Sequence, residues 1–158
     1  MTIRFAQPRD IPGMIDLLRQ VGQVHHEIRP DLFRAGAQKY DAADLAKLLR
    51  DENRPIFICE EAGQVLGYGF CILKDIRNDP VLEDHKELYI DDLCVDENYR
   101  GKHIGKALYA HIVSYAKAIR CHSVTLNVWA FNESAMGFYR SVGLTPQKVG
   151  MEMRLEEV

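Results

Sequence analysis

The chain has 158 residues, 47% hydrophobic and 27% charged, with a net charge of −3. That is the length and composition of one soluble globular domain with room for a sizeable core. The mild acidity offers no basic field for nucleic acid or an anionic membrane, no run reaches the ~18 apolar residues of a membrane span, and MTIRFAQPRD lacks a signal-peptide core, so a cytoplasmic protein is expected.

In chain order, Ile3 to Phe5 reads as a first strand. Asp10 stands as the N-cap of a helix with Pro12 in its first turn and Ile11, Ile15, Leu18 and Val21 as its apolar stripe. HHEIRPDLFR, broken by Pro30, reads as a loop, and a second helix starts near Asp41 with Leu45, Leu48 and Leu49 on one face. IFICEEAGQVLGYGFCIL is a hairpin turning at Ala62–Gly63, Lys74 to His85 is a charged loop, and ELYIDDLCV is the next strand. Ile104, Leu108, Ile112, Tyr115 and Ile119 stripe a third helix, and SVTLNVWA follows as a strand. Asn132 caps a short fourth helix closed by Gly143, and alternating Met151, Met153 and Leu155 mark a final strand, with room for one more between Leu144 and Lys148. The order β-α-α-β-β-β-α-β-α-β predicts a single mixed α/β domain over residues 1–158.

Cys59, Cys71, Cys94 and Cys121 show no paired spacing and read as reduced, mostly buried thiols. His25 and His26 point to different sides of a helix, so no metal is expected.

The segment YIDDLCVDENYRGKHIGKAL, Tyr89 to Leu108, carries the chemistry. A strand runs into a turn holding Arg100, Gly101, Lys102, His103, Ile104 and Gly105, and the turn opens a helix. Such a turn aims several backbone N–H groups at one point, the helix dipole adds positive potential, and Arg100, Lys102 and Lys106 add full charges: an anion site fit for a pyrophosphate. A Walker A loop fails on spacing, since three residues separate Gly101 from Gly105 and Ala107 replaces the magnesium-binding hydroxyl. A dinucleotide fingerprint fails too, because the glycines do not fit and VTLNVW, about 20 residues on, has no acid.

The turn resembles the Arg/Gln-x-x-Gly-x-Gly/Ala signature of the GCN5-related N-acetyltransferases (GNAT), with Arg100 and Gly105 at its ends and His103 in place of the first glycine. Asn132, Ala135, Tyr139 and Gly143 resemble the family's second block, in the right order on a following helix. The resemblance implies a mixed, mostly antiparallel twisted sheet of six to seven strands flanked by about four helices. It implies acetyl-coenzyme A as cosubstrate, its pyrophosphate on Arg100–Lys106, with Asn132 and Ala135 also on the coenzyme. Leu93, Cys94 and Val95 then lie on a splayed strand whose backbone meets the pantetheine and the thioester carbonyl, an oxyanion-hole arrangement. Tyr139 is implied to protonate the leaving thiolate, a task suited to a phenol of pKa ~10 facing a thiol of ~8.5. Direct attack by the amine leaves Cys94 a bystander.

Asp91 and Asp92 are adjacent on a strand, so a regular pleat would bury one of them, a cost that an irregularity or a cleft relieves. The stretch also resembles the diamine and polyamine acetyltransferases, in which paired acids attract a cationic amine and help deprotonate it. The alternative for Asp91 and Asp92 is a solvated strand end. HHEIRPDLFR, with His25, His26, Glu27, Asp31 and Phe33, lines either the acceptor cleft or a packed loop, and Trp129 and Phe131 have no assigned role. The expected function is N-acetyl transfer to a primary amine, the alternatives being acetylation of a protein N-terminus or lysine, and a non-catalytic acyl-CoA sensor. Dimers are frequent in the family, but no interface is marked.

Overall fold

The computed structural model describes residues 1–156. Residues Met1–Asn127 form one compact unit, and the chain from Val128 onward forms a second. In the first, β1 (Thr2–Phe5), β2 (Ile56–Glu61), β3 (Gln64–Ile76), β4 (His85–Val95) and β5 (Ser123–Leu126) make one sheet in the order β1-β2-β3-β4-β5. The first three pairings are antiparallel and the β4–β5 pairing is parallel. Helices α1 (Ile11–Ile28), α2 (Ala42–Leu48) and α3 (Ile104–Ala118) complete this unit, and α4 (Glu133–Ser141) belongs to the second.

Strand alternation divides the core. Ile56, Ile58, Tyr68, Phe70 and Cys94 face Met14, Leu17 and Leu18 of α1 and Leu45 of α2. Phe57, Cys59, Cys71, Leu88 and Ile90 face Ile104, Leu108, Ile112 and Ala116 of α3. Gly67 and Gly69 let α3 close on β3: a Cβ at Gly69 would stand 2.7 Å from Ile112, and one at Gly67 3.0 Å from Leu108. The hairpin turns at Ala62 and Gly63 with φ of 50° and 79°, the left-handed pair that a tight β-turn requires. Asp41 caps α2 through a reciprocal pair with Asp44.

Three expectations are corrected. Helix α1 runs on to Ile28, so His25, His26 and Glu27 lie in its last turns. Asp10 makes no side-chain cap bond to α1. Its carboxylate, 4% exposed, instead takes two bonds from Arg4 at 2.9 and 3.0 Å and the Gln7 N–H at 2.7 Å. Among the described residues the sheet has five strands instead of six or seven: residues 144–156 hold no strand, and Met151, Met153 and Leu155 are more than 80% exposed. Alternation makes a strand only where a ladder receives it.

Arg4 also bonds Glu60, tying β1 to β2 and to the start of α1. Burial alone would raise the Asp10 carboxyl, but Arg4 and the Gln7 N–H outweigh it and hold the carboxyl below its ordinary value. A depressed native value means stability that is present above the unfolded carboxylate value of ~3.9 and lost as pH falls through the native value. Arg4→Ala is expected to cost about 3 kcal/mol in urea denaturation at neutral pH, and to flatten the loss of stability on acidification below about pH 4. An unchanged acid limb would remove Asp10 from that account.

Candidate active site

The turn before α3 has the predicted shape. Asp96 accepts the Asn98 N–H at 3.0 Å and sets a short 3₁₀ turn over Glu97–Tyr99. Arg100 follows in extended backbone, Gly101 takes φ 81°, and His103 takes φ 61° and ψ 20° as the residue capping α3. This is the position where the family signature has glycine, and the left-handed conformation costs a non-glycine residue ~1 kcal/mol. His103 makes no side-chain cap bond. Helical bonding across this end runs from the Ala107 N–H to the His103 carbonyl at 3.0 Å, so the amides of Ile104, Gly105 and Lys106 lie ahead of the ladder. Arg100, Lys102 and Lys106 are exposed around them, with the Lys102 ammonium 5.1 Å from the centre of the Tyr99 ring. The residues present fit an anionic diphosphate.

Strand β4 splits from β5 beside this turn. Their ladder covers Glu87–Ile90 against Ser123–Leu126. Beyond Ile90, β4 continues to Val95 with β3 on one edge and, among the described residues, no strand on the other. The Asp96 N–H donates to Leu66 at 2.8 Å on the β3 side, so alternation turns the N–H groups of Leu93 and Val95 toward the open edge. Cys94 points its side chain into the α1 face, where its thiol lies 3.8 Å from the Leu17 carbonyl. Burial, and then the Asp92 charge, pushes that thiol up to about 12, which suits a packing residue and not a nucleophile at neutral pH.

The adjacent acids are reconciled by a bulge. Phe70 pairs with Asp92 and Cys71 with Ile90, leaving Asp91 as the extra residue. Leu88 and Ile90 face α3, while Asp92 and Cys94 are turned to the α1 face. Asp91 and Asp92 therefore share that face. Asp92 accepts a bond from the Tyr68 hydroxyl at 2.6 Å, and Tyr68 is fully buried. Burial pushes the Asp92 carboxyl above its usual value, and Tyr68, Lys39 and the Leu93 N–H offset this only in part. Asp91 accepts from the Lys39 ammonium at 2.8 Å and the Tyr40 hydroxyl at 3.2 Å, and lines a small cleft with Tyr40, Arg54 and Phe70.

Sequence reasoning missed Lys39, Tyr40 and Tyr68. The first two lie in the α1–α2 loop with no motif around them, and Tyr68 is hidden in an apolar strand run. In HHEIRPDLFR the His26 ring bonds the Phe33 carbonyl at 2.7 Å, the His25 and Phe33 rings are 4.7 Å apart, Glu27 accepts from Gln23 one turn earlier, and Asp31 pairs with Arg29.

In the second unit Asn132 caps α4 by accepting the Ala135 N–H at 3.2 Å. Tyr139 lies on α4 with its ring 5.3 Å from that of Phe138, and its carbonyl accepts the Leu144 N–H at 3.0 Å as Gly143 closes the helix at φ 102°. Trp129 and Phe131 stack at 5.6 Å.

The sequence model described as "Acetyltransferase (GNAT) family" matches residues 22–144. A protein of Methanocaldococcus jannaschii named uncharacterized N-acetyltransferase MJ1207 is 30% identical over 102 residues, 65% of this chain and 44% of that protein. Human N-acetyltransferase 8B is 32% identical over 108 residues, 68% of this chain and 46% of that protein. The chain thus spans less than half the length of the curated relatives it matches. The crystal structure of a point variant of the BH1408 protein from Bacillus halodurans superposes with a TM-score of 0.94 at 32% identity, covering 99% of this chain and 100% of that one.

Proposed function

The chain belongs to the acetyltransferase (GNAT) family, and from that membership we propose that residues 1–158 are one catalytic domain moving acetyl from acetyl-coenzyme A to a primary amine by direct attack. The observation that carries this reading is the pairing of an open β4 edge with a cationic turn of unladdered amides on one continuous segment, Asp91–Lys106. The amides of Ile104, Gly105 and Lys106, with Arg100, Lys102 and Lys106, hold the pyrophosphate. The N–H groups of Leu93 and Val95 run along the pantetheine, and one of them polarises the thioester carbonyl as charge grows on its oxygen. An alkyl ammonium of pKa ~10.4 must lose a proton before it attacks. Asp92, raised by burial, is a better base than an ordinary carboxylate, and Asp91 beside it draws the cation. Tyr139 returns a proton to the departing thiolate, a role that rests on its motif. The acceptor these acids favour is a small cationic amine.

Acetyl-coenzyme A is expected to raise the melting temperature while NAD and ATP do not, and no shift at saturating coenzyme would sink the phosphate assignment. A thiol-release assay across alkylamines, amino acids, aminoglycosides and peptides then reads the acceptor, and reaction with peptides alone would replace the small-amine reading.

A further inference from the structure

The Asp91 carboxylate is already paired with a primary alkylammonium, and that ammonium belongs to the protein. Lys39 sits near the end of the loop between α1 and α2, and its Nζ lies 2.8 Å from Asp91 Oδ2. The Lys39 side chain is 49% exposed and that of Asp91 16%, so the pair is open to solvent on its lysine side. Besides this ion pair, the ammonium has the Tyr40 ring at 5.5 Å. An ion pair of such exposure is weak and exchangeable. The bulge at Asp91 holds the carboxylate on the same face as Asp92, and Tyr40 Oη fixes the same oxygen.

We infer that Lys39 is a built-in occupant of the acceptor-ammonium position, a specificity-determining residue that an incoming amine displaces from Asp91. This rests on the acceptor reading above and narrows it. The group that fits is the one Lys39 carries: a primary ammonium on an unbranched alkyl chain. A cation exchanges for Lys39 at Asp91 with little electrostatic cost, whereas a neutral amine leaves the pair closed and gains nothing from it. Lys39 therefore selects protonated alkylamines and weakens the binding of each of them by the strength of the pair it must give up.

The test is calorimetric titration of n-butylammonium and 1,4-diaminobutane into the full chain, with and without coenzyme A. Lys39→Gln is expected to bind both roughly fivefold more tightly, the effect of removing one exposed competing ion pair. Lys39→Arg, which restores the charge, returns affinity to the wild-type level, and Asp91→Asn loses the binding. Coenzyme A affinity stays constant across the Lys39 variants, which separates displacement from a general loosening of the fold. Unchanged or weaker amine binding in Lys39→Gln overturns the inference, as does binding that survives Asp91→Asn or is absent from every variant. If alkylamines release thiol but Lys39→Gln binds them no better, the inference fails and the function stands. If binding follows the expected pattern without thiol release, displacement of Lys39 from an ammonium site at Asp91 stands and the acceptor role given to that site fails.

Discussion

Gly105→Asp is expected to weaken coenzyme A binding by about two to three orders of magnitude while the melting temperature holds or rises slightly. The two effects have opposite signs for one reason. Gly105 is the second residue of α3, where the N-terminal amides and the dipole favour negative charge. A carboxylate there stabilises the free protein by ~0.3–1 kcal/mol. It also stands where the pyrophosphate belongs. Two unit charges ~4 Å apart at a protein surface interact by ~4 kcal/mol, about a thousandfold in affinity. Arg100, Lys102 and Lys106 screen part of that, which sets the lower end of the range. Gly105→Ala isolates the steric share: it keeps the N–H and improves helix propensity by up to ~1 kcal/mol, so its affinity should stay near wild type. Coenzyme A titration with parallel thermal melts reads both quantities. Wild-type affinity in Gly105→Asp would move the pyrophosphate away from this turn.

Local chemistry was legible and non-local pairing was not. Ala62–Gly63, Asp41 with its Asp44 partner, and the Gly101–Gly105 turn are written in neighbouring residues, and each has the conformation that chemistry demands. His103 stands where the resembled signature has glycine, and it takes the left-handed φ of 61°. Asp10 has the right residue type for a cap, but Arg4, across β1, captured its carboxylate. Helix α1 overran its apolar stripe because Gly22 to Ile28 contains no strong stop before Arg29–Pro30. The adjacent acids called for an irregularity or a cleft, but the bulge at Asp91 that supplies it is a register decision taken jointly with β3. Tyr68 reaches Asp92 across 24 positions and Lys39 reaches Asp91 across 52, distances over which periodicity is silent. The last strand failed for the same reason in reverse: Met151, Met153 and Leu155 alternate correctly, but a ladder partner is not a property of the segment.

Tyr139→Phe is expected to lower kcat by about 10²-fold or more, the low end of what a positioned proton donor contributes, with coenzyme A affinity within about twofold of wild type. The substitution removes one hydroxyl and keeps the ring, so packing against Phe138 and the Asn132-capped geometry of α4 are retained. A role confined to packing predicts a change below ~1 kcal/mol, or less than about fivefold in rate. Proton donation predicts a loss that appears in kcat and kcat/KM together, because the hydrogen bond strengthens only as the thiolate departs. The leaving group offers a second handle. A coenzyme analogue whose thiol has a lower pKa needs less proton transfer in the transition state, so the ratio of wild-type to Tyr139→Phe rates should shrink with it. A ratio that stays near one for every donor would return Tyr139 to a packing residue of α4 and leave water to protonate the thiolate.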